Sequence, residues 1–310
     1  FGSVDLMNLH SCIVGEFSYV QAGELFHRKI DPGTVWVRSQ NFEFKYKFKN
    51  EILDNFVGVN DSYQPRGIIY DFVKEREQDY EKLFDVVNLT PIDAPSSSAV
   101  NRYAVILGKT RIGKNVLVSQ RAFLDNAIMG DGSNAQENTY IIHSNLSGLC
   151  ITAHGGKIIH ADIGLETFVG FNSFLNGKFN ARIKIGEGCI IMPHTIIDPA
   201  VPIEIPDEHL VWGFIGSEED VRNQTILLDD LAEIRDTLRM GKMVFTGNGS
   251  VFIDAFRKRI SQILLANGAL FNNGEKRGHA QDDQNISFNT IQPYRTGERK
   301  GLYPSIRIKP

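Results

Sequence analysis

Between Lys109 and Ile197 apolar residues return every sixth position beside Ile-Gly or Val-Gly pairs. Ile112, Val118 and Leu124 form one such ladder, Ile163, Val169 and Leu175 a second, and Ile185, Ile191 and Ile197 a third. A period of six fits neither a helix nor an alternating strand. It fits a solenoid whose short strands turn a corner every six residues, each sending one aliphatic side chain inward. The pattern predicts a mainly β chain with a left-handed parallel β-helix over 101–216, ended by Pro199, Pro202 and Pro206.

The flanks read differently. Residues 1–100 form an N-terminal extension in which Cys12–Val20 hints at one more solenoid side. Val35–Val37 and Phe42–Phe48 alternate as half-buried strands do. Trp36, Phe42, Phe44, Tyr46 and Phe48 make this stretch aromatic, fit for core or for docking a partner. Gly67–Val87 predicts a helix with Ile69, Phe72, Val73, Tyr80, Leu83 and Phe84 on one stripe. Past the solenoid, 217–267 predicts two amphipathic helices, Glu218–Met240 with Ser217 as N-cap and Ser250–Ala266. Residues 268–310 lack periodicity and read as an extended, mildly basic arm.

Composition narrows the class. A chain of 310 residues, 42% apolar and 23% charged, has ample material for a core. Its net charge of -4 argues against a nucleic-acid binder. No apolar run reaches membrane-span length and no signal peptide is visible, which predicts a cytoplasmic protein. Cys12, Cys150 and Cys189 are too scattered for a disulfide framework or a metal knuckle.

Candidate chemistry lies within the ladder. His143 and His160 stand seventeen apart, close to one full three-sided coil, so they stack on adjacent turns. His154 precedes His160 by six, one side of the triangle, and points from a different face. Zinc requires three or four converging ligands. One chain does not gather these three, so a metal site would form between subunits of a trimer. His194 is a candidate general base of acyltransferase type. Asp125, Asp131 and Glu137 read as hydrophilic corners or a proton shuttle. Leu107-Gly-Lys-Thr110 lacks the upstream glycine of a phosphate-binding loop and reads as a corner.

Gly130-Asp-Gly-Ser-Asn-Ala-Gln-Glu137 with Tyr140-Ile-Ile-His143 resembles the γ-class carbonic anhydrases, including the carboxysomal shell-associated members. Thr152-Ala-His154 through His160, and Phe179 through Met192, resemble the family's later coils. The resemblance covers about 103–216. It implies a homotrimer that hydrates CO2 reversibly to bicarbonate, with zinc (iron or cobalt as alternatives, or no metal in a decayed site) at each interface. His143 and His160 of one chain and His154 of the next would be the ligands, with Gln136 and Asn134 as catalytic residues. The sequence departs from the family in the longer His154–His160 step and in Leu124-Asp-Asn126 where the family has Arg-x-Asp. Two alternatives stand beside this reading. One is a non-catalytic trimeric scaffold or accessory subunit, joined to a larger assembly through its terminal extensions. The other is a CoA-dependent acyltransferase.

Overall fold

The computed structural model describes residues 3–4, 8–62, 64–80 and 93–271. Its centre is a parallel, three-sided left-handed β-helix. The first flank stacks Ala99–Val100, Leu117–Val118, Asn134–Ala135, Ile151–Thr152, Phe168–Val169, Ile190–Ile191 and His209–Val211. The second runs from Val105–Leu107 through Tyr140–Ile142 and Lys157–Ile159 to Phe214–Ile215, and the third from Arg111–Ile112 through Ala161–Ile163 to Ile203–Ile205. The predicted ladders are the interior: Val118, Leu124, Ile163, Val169, Leu175, Ile185, Ile191 and Ile197 share one buried cluster.

Turning a corner every six residues needs left-handed backbone, which short polar side chains and glycine tolerate best. Asn126, Asn138 and Asn172 occupy such corners, with φ of 48°, 59° and 53°. His143, His160 and His194 do the same at 48°, 45° and 62°. All three histidines are therefore corner residues. Gly108, in the glycine-lysine-threonine motif, is likewise a corner, with φ of 60°.

The outward rows of two flanks are apolar and covered by the chain itself. On the first flank Phe168 meets Phe256 of a helix labelled α5, Gly249–Ala266. On the second, Tyr140 and Phe174 pack edge-on against Phe72 of α2, Ile68–Lys74, and Phe174 also against Phe56 of α1, Asn50–Phe56. The third flank turns outward with Arg111, Ile128, Asn145, Lys184 and Glu204, all exposed. Leu83 and Phe84 of the predicted helix stripe lie outside the described residues, as do positions 272–310 of the predicted arm.

The N-terminal region holds more solenoid than one extra side. Tyr19–Gln21 pairs in parallel with Ser3–Val4 and Thr34–Arg38, Asn8–His10 with Glu24–Phe26, and Ile13–Val14 with Lys29–Ile30. These form a second, short three-sided coil around Val20, Ala22, Leu25 and Ile30. Thr34–Arg38 then pairs antiparallel with Phe42–Lys47, whose buried Phe42 and Phe44 pack on Phe252. The aromatic stretch is core rather than a free docking surface.

The long helix expected over Glu218–Met240 is not formed. Helix α3, Glu218–Gln224, starts at Ser217, whose hydroxyl accepts from the Asp220 amide, and stops after seven residues. Thr225–Leu227 then pairs antiparallel with His209–Val211, α4 is Leu228–Ala232, and Thr237–Met240 joins a hairpin with Met243–Gly247. An open sheet edge at the last coil offers backbone hydrogen bonds that outbid local helix preference. The same apolar residues satisfy either arrangement.

Candidate active site

The corner between the first and second flanks carries Glu137, His154 and Phe171 on successive coils. Asn134 pairs with Ile151 and Ala135 with Thr152, and the Gly155 amide donates to the Glu137 carbonyl at 2.9 Å, so Glu137 lies one coil below His154. The side chains meet: His154 Nδ1 is 2.7 Å from Glu137 Oε2. Phe171 stacks on the imidazole at 5.5 Å and 16°, and Tyr19 of the N-terminal coil stacks on the other side of this group, against Phe171 at 5.8 Å. Burial works against ionising Glu137, but the hydrogen bond and charge of His154 outweigh it and hold the carboxyl below its ordinary value. The His154 side chain is 52% exposed. A carboxylate on Nδ1 fixes the tautomer and leaves Nε2 without a hydrogen-bond partner among the described residues, which is how a general base is prepared.

The backbone of this corner is held by a buried side chain and a close packing contact. Gly155 has φ of 69°, and a Cβ there would stand 2.2 Å from Asn172 Oδ1. Its carbonyl accepts a 2.6 Å hydrogen bond from Lys157 Nζ. Lys157 points outward from the second flank yet is only 6% exposed, and burial pulls its ammonium down to about 8.

Of the sequence candidates, Gln136 sits one position before Glu137, is 9% exposed, and its carboxamide has no hydrogen-bond partner among the described residues. Asn134 lies on the first flank between Leu117 and Ile151, fully buried, its carboxamide likewise without a partner there. It is part of the covered flank, not of the corner.

His143 and His160 occupy the other corner, between the second and third flanks. They stack as the seventeen-residue step predicts, with ring centroids 4.8 Å apart and planes within 6°. Asp162 does not touch them; it pairs with Arg182 at 2.8 Å and accepts from Asn145, while Arg182 also donates to the His143 carbonyl at 3.2 Å. Desolvation, with His143 and Arg182 nearby, lowers the His160 pKa.

Within one chain the three histidines do not converge on a zinc site. A metal binds in the plane of an imidazole at about 2.0–2.1 Å, and two parallel, stacked rings do not share such a point. His154 is on a different corner with Nδ1 engaged by Glu137. Among the described residues no three His, Cys, Asp or Glu side chains meet as a metal site. The flank between the two corners, which a neighbouring subunit would need to reach, carries α1 and α2.

His194, the candidate acyltransferase base, is corrected by its surroundings. It is fully buried, with Nδ1 3.0 Å from the Phe17 carbonyl, Nε2 3.3 Å from Asn172 Nδ2, and Phe17 against its ring. Burial drives its pKa down to about 4. It ties the N-terminal coil to the main solenoid and is out of reach of a substrate. Cys150 and Cys189 are buried and unpaired, their thiols pushed up by desolvation.

Sequence reasoning missed the Glu137–His154 pair, although the signal was present. The seventeen-residue step that stacks His143 on His160 equally sets Glu137 beneath His154. The same step sets Phe171 over His154, whereas Lys157 carried no such signal, since it reads as an ordinary outward position.

Comparison with known proteins agrees with the fold. A family model described as a hexapeptide repeat including loop matches residues 1–61. A Desulfovibrio desulfuricans G20 protein whose crystal structure names it a "putative acetyltransferase" is 48% identical, over 96% of this chain and 62% of that one, with a TM-score of 0.88. The chain thus spans less than two thirds of that protein's length. A hexapeptide transferase family protein from Anaplasma phagocytophilum is 20% identical over 42% of this chain and 81% of that one, with a TM-score of 0.36. The acetyltransferase domain of PglB from Neisseria gonorrhoeae FA1090 is 14% identical over 43% and 62%, with a TM-score of 0.22. No protein with a curated description matches the sequence. None of the described helices is long and apolar enough to cross a membrane. The chain is a hexapeptide-repeat protein built on the left-handed β-helix.

Proposed function

We propose that the chain is an acyltransferase that moves an acyl group from a coenzyme A thioester to an amine or hydroxyl acceptor, with His154 as general base. The observation that carries this reading is the 2.7 Å contact between His154 Nδ1 and Glu137, on a half-exposed corner. The 48% identical protein named for acetyl transfer supports it. In the reaction Nε2 of His154 takes the proton of the acceptor as its nitrogen or oxygen attacks the thioester carbonyl. The tetrahedral intermediate collapses, the carbon–sulfur bond breaks, and the departing thiolate receives the proton. Glu137 stabilises the imidazolium formed between these steps. The unpartnered carboxamide of Gln136, beside Glu137, is the donor suited to the developing oxyanion.

This reading is preferred to CO2 hydration because the carboxylate–imidazole pair forms within one chain and the 48% identical protein is named for acetyl transfer. The test is release of free thiol from acetyl-CoA across a panel of amine and hydroxyl acceptors. His154→Ala is expected to slow transfer by about 10²–10⁴-fold, the usual worth of general-base catalysis. Turnover that survives unchanged in His154→Ala would remove the corner from the mechanism.

A further inference from the structure

The end of the solenoid nearest the last coil holds a cavity of about 340 Å³ that acyl transfer at His154 does not use. Its apolar lining is Tyr46, Ile52, Phe214 and Met240, and the charged groups in the lining are Lys49, Lys242 and Asp220. Three separate pieces of chain build it: the segment from Phe42–Lys47 into α1, the last coil with α3, and the turn of the Thr237–Gly247 hairpin.

Most polar groups at this cavity are already satisfied. Asp220 accepts from the Gly216 amide and the Ser217 hydroxyl. Gln224 bonds both the amide and the carbonyl of Phe214. Burial pushes the Tyr46 phenol up to about 12, so it stays neutral and brings no negative charge. The two ammonium groups differ. Lys47, Lys178 and Lys184 each pair with a carboxylate, at 2.7, 2.8 and 2.7 Å. Lys49 and Lys242 have no hydrogen bond, ion pair or ring contact among the described residues. Against the single carboxylate of Asp220, these two unpaired cations leave the cavity lining with a net charge of +1 in a chain whose net charge is -4.

We propose that this cavity binds a small phosphomonoester carrying a flat ring, of nucleoside monophosphate size. Two lysine point charges match a phosphomonoester, which carries about −1.5 to −2 at neutral pH, better than a single carboxylate. Aromatic faces and a methionine that adapts its shape suit a planar ring. The volume lies at the low end of the roughly 300–1,000 Å³ of small-molecule sites, which excludes large ligands. The proposal is independent of the acyltransferase reading, because it concerns other residues and is tested by binding alone.

The experiment is calorimetric titration of the full chain with AMP, adenosine and inorganic phosphate, on wild type and on Lys49→Gln/Lys242→Gln. Both lysines are exposed, so the double variant keeps its fold, which its melting temperature checks. AMP is expected to bind with a sub-millimolar Kd, adenosine and phosphate at least about tenfold more weakly, and the double variant to lose at least about tenfold for AMP. Absence of AMP binding overturns the proposal. Adenosine binding as tightly as AMP, or AMP binding unchanged in the double variant, overturns it too.

Discussion

Two corners of the same prism carry histidines, and they have different fates. At one, His154 stands over Glu137 with Phe171 behind it and covered flanks on either side. At the other, His143 and His160 stand over each other beside an open, charged flank. Coil spacing does not distinguish them: both lie where the solenoid turns and follow the same coil-to-coil step, although His143 and His160 are themselves left-handed while His154 precedes the left-handed Gly155. The neighbour one coil away does. A carboxylate below an imidazole engages Nδ1 and fixes its tautomer. A second imidazole does neither, and at His160 desolvation first and the charge of His143 second lower the pKa.

The largest expected effect separates the corners in activity. His154→Ala is expected to cost about 10²–10⁴-fold in acyl transfer, while His143→Ala and His160→Ala stay within about threefold of wild type. Equal losses at both corners would erase the distinction drawn here.

Next come two buried groups behind the His154 corner, which respond to pH in different ranges. His194 has a folded pKa of about 4, below its ordinary value near 6.5. Between these values the unfolded chain binds a proton that the folded chain does not, so stability falls as pH drops from about 6.5 to 4. Lys157 has a folded pKa of about 8, below 10.5, so its penalty for burying charge is complete below pH 8 and lifts as pH rises towards 10.5. Each effect is on the order of 3 kcal/mol. Urea unfolding across pH should show a shallower acid limb in His194→Gln and a flatter alkaline limb in Lys157→Met. The slopes decide, since each substitution also changes packing.

Phe171→Leu removes the ring stacked on His154 and is expected to cost about 0.5–1.5 kcal/mol beyond the area lost. Thermal melts of this variant beside Phe179→Leu, whose ring is 88% exposed, would show whether the stack matters. The smallest effect is expected at the outer pair, where His160→Ala should change stability by no more than about 0.5 kcal/mol. A larger loss there would mean that stacking alone, without a carboxylate, organises a corner.

Much of the architecture was legible in residue order. The six-residue ladder named the solenoid, and the ladder residues became its interior. The stacking of His143 on His160 followed from one spacing. The N-terminal coil was only hinted at by Cys12–Val20, because a short solenoid gives too few repeats to establish a period. Glu218–Met240 was misread because its apolar residues suit either a helix or a strand laid on an exposed edge. His194 looked available because sequence does not say which corner another part of the chain will cover.

Residue order alone determined the prism, since one inward aliphatic per six residues has a single geometric solution. Coil spacing also dictated which side chains stand above one another. What only the tertiary structure decided is which corners meet solvent. Phe17 and Tyr19, far away in sequence, bury His194 and brace Phe171, and α1, α2 and α5 cover two flanks. Those contacts depend on where distant segments pack, and packing depends on shape and solvent exclusion that a local pattern does not encode.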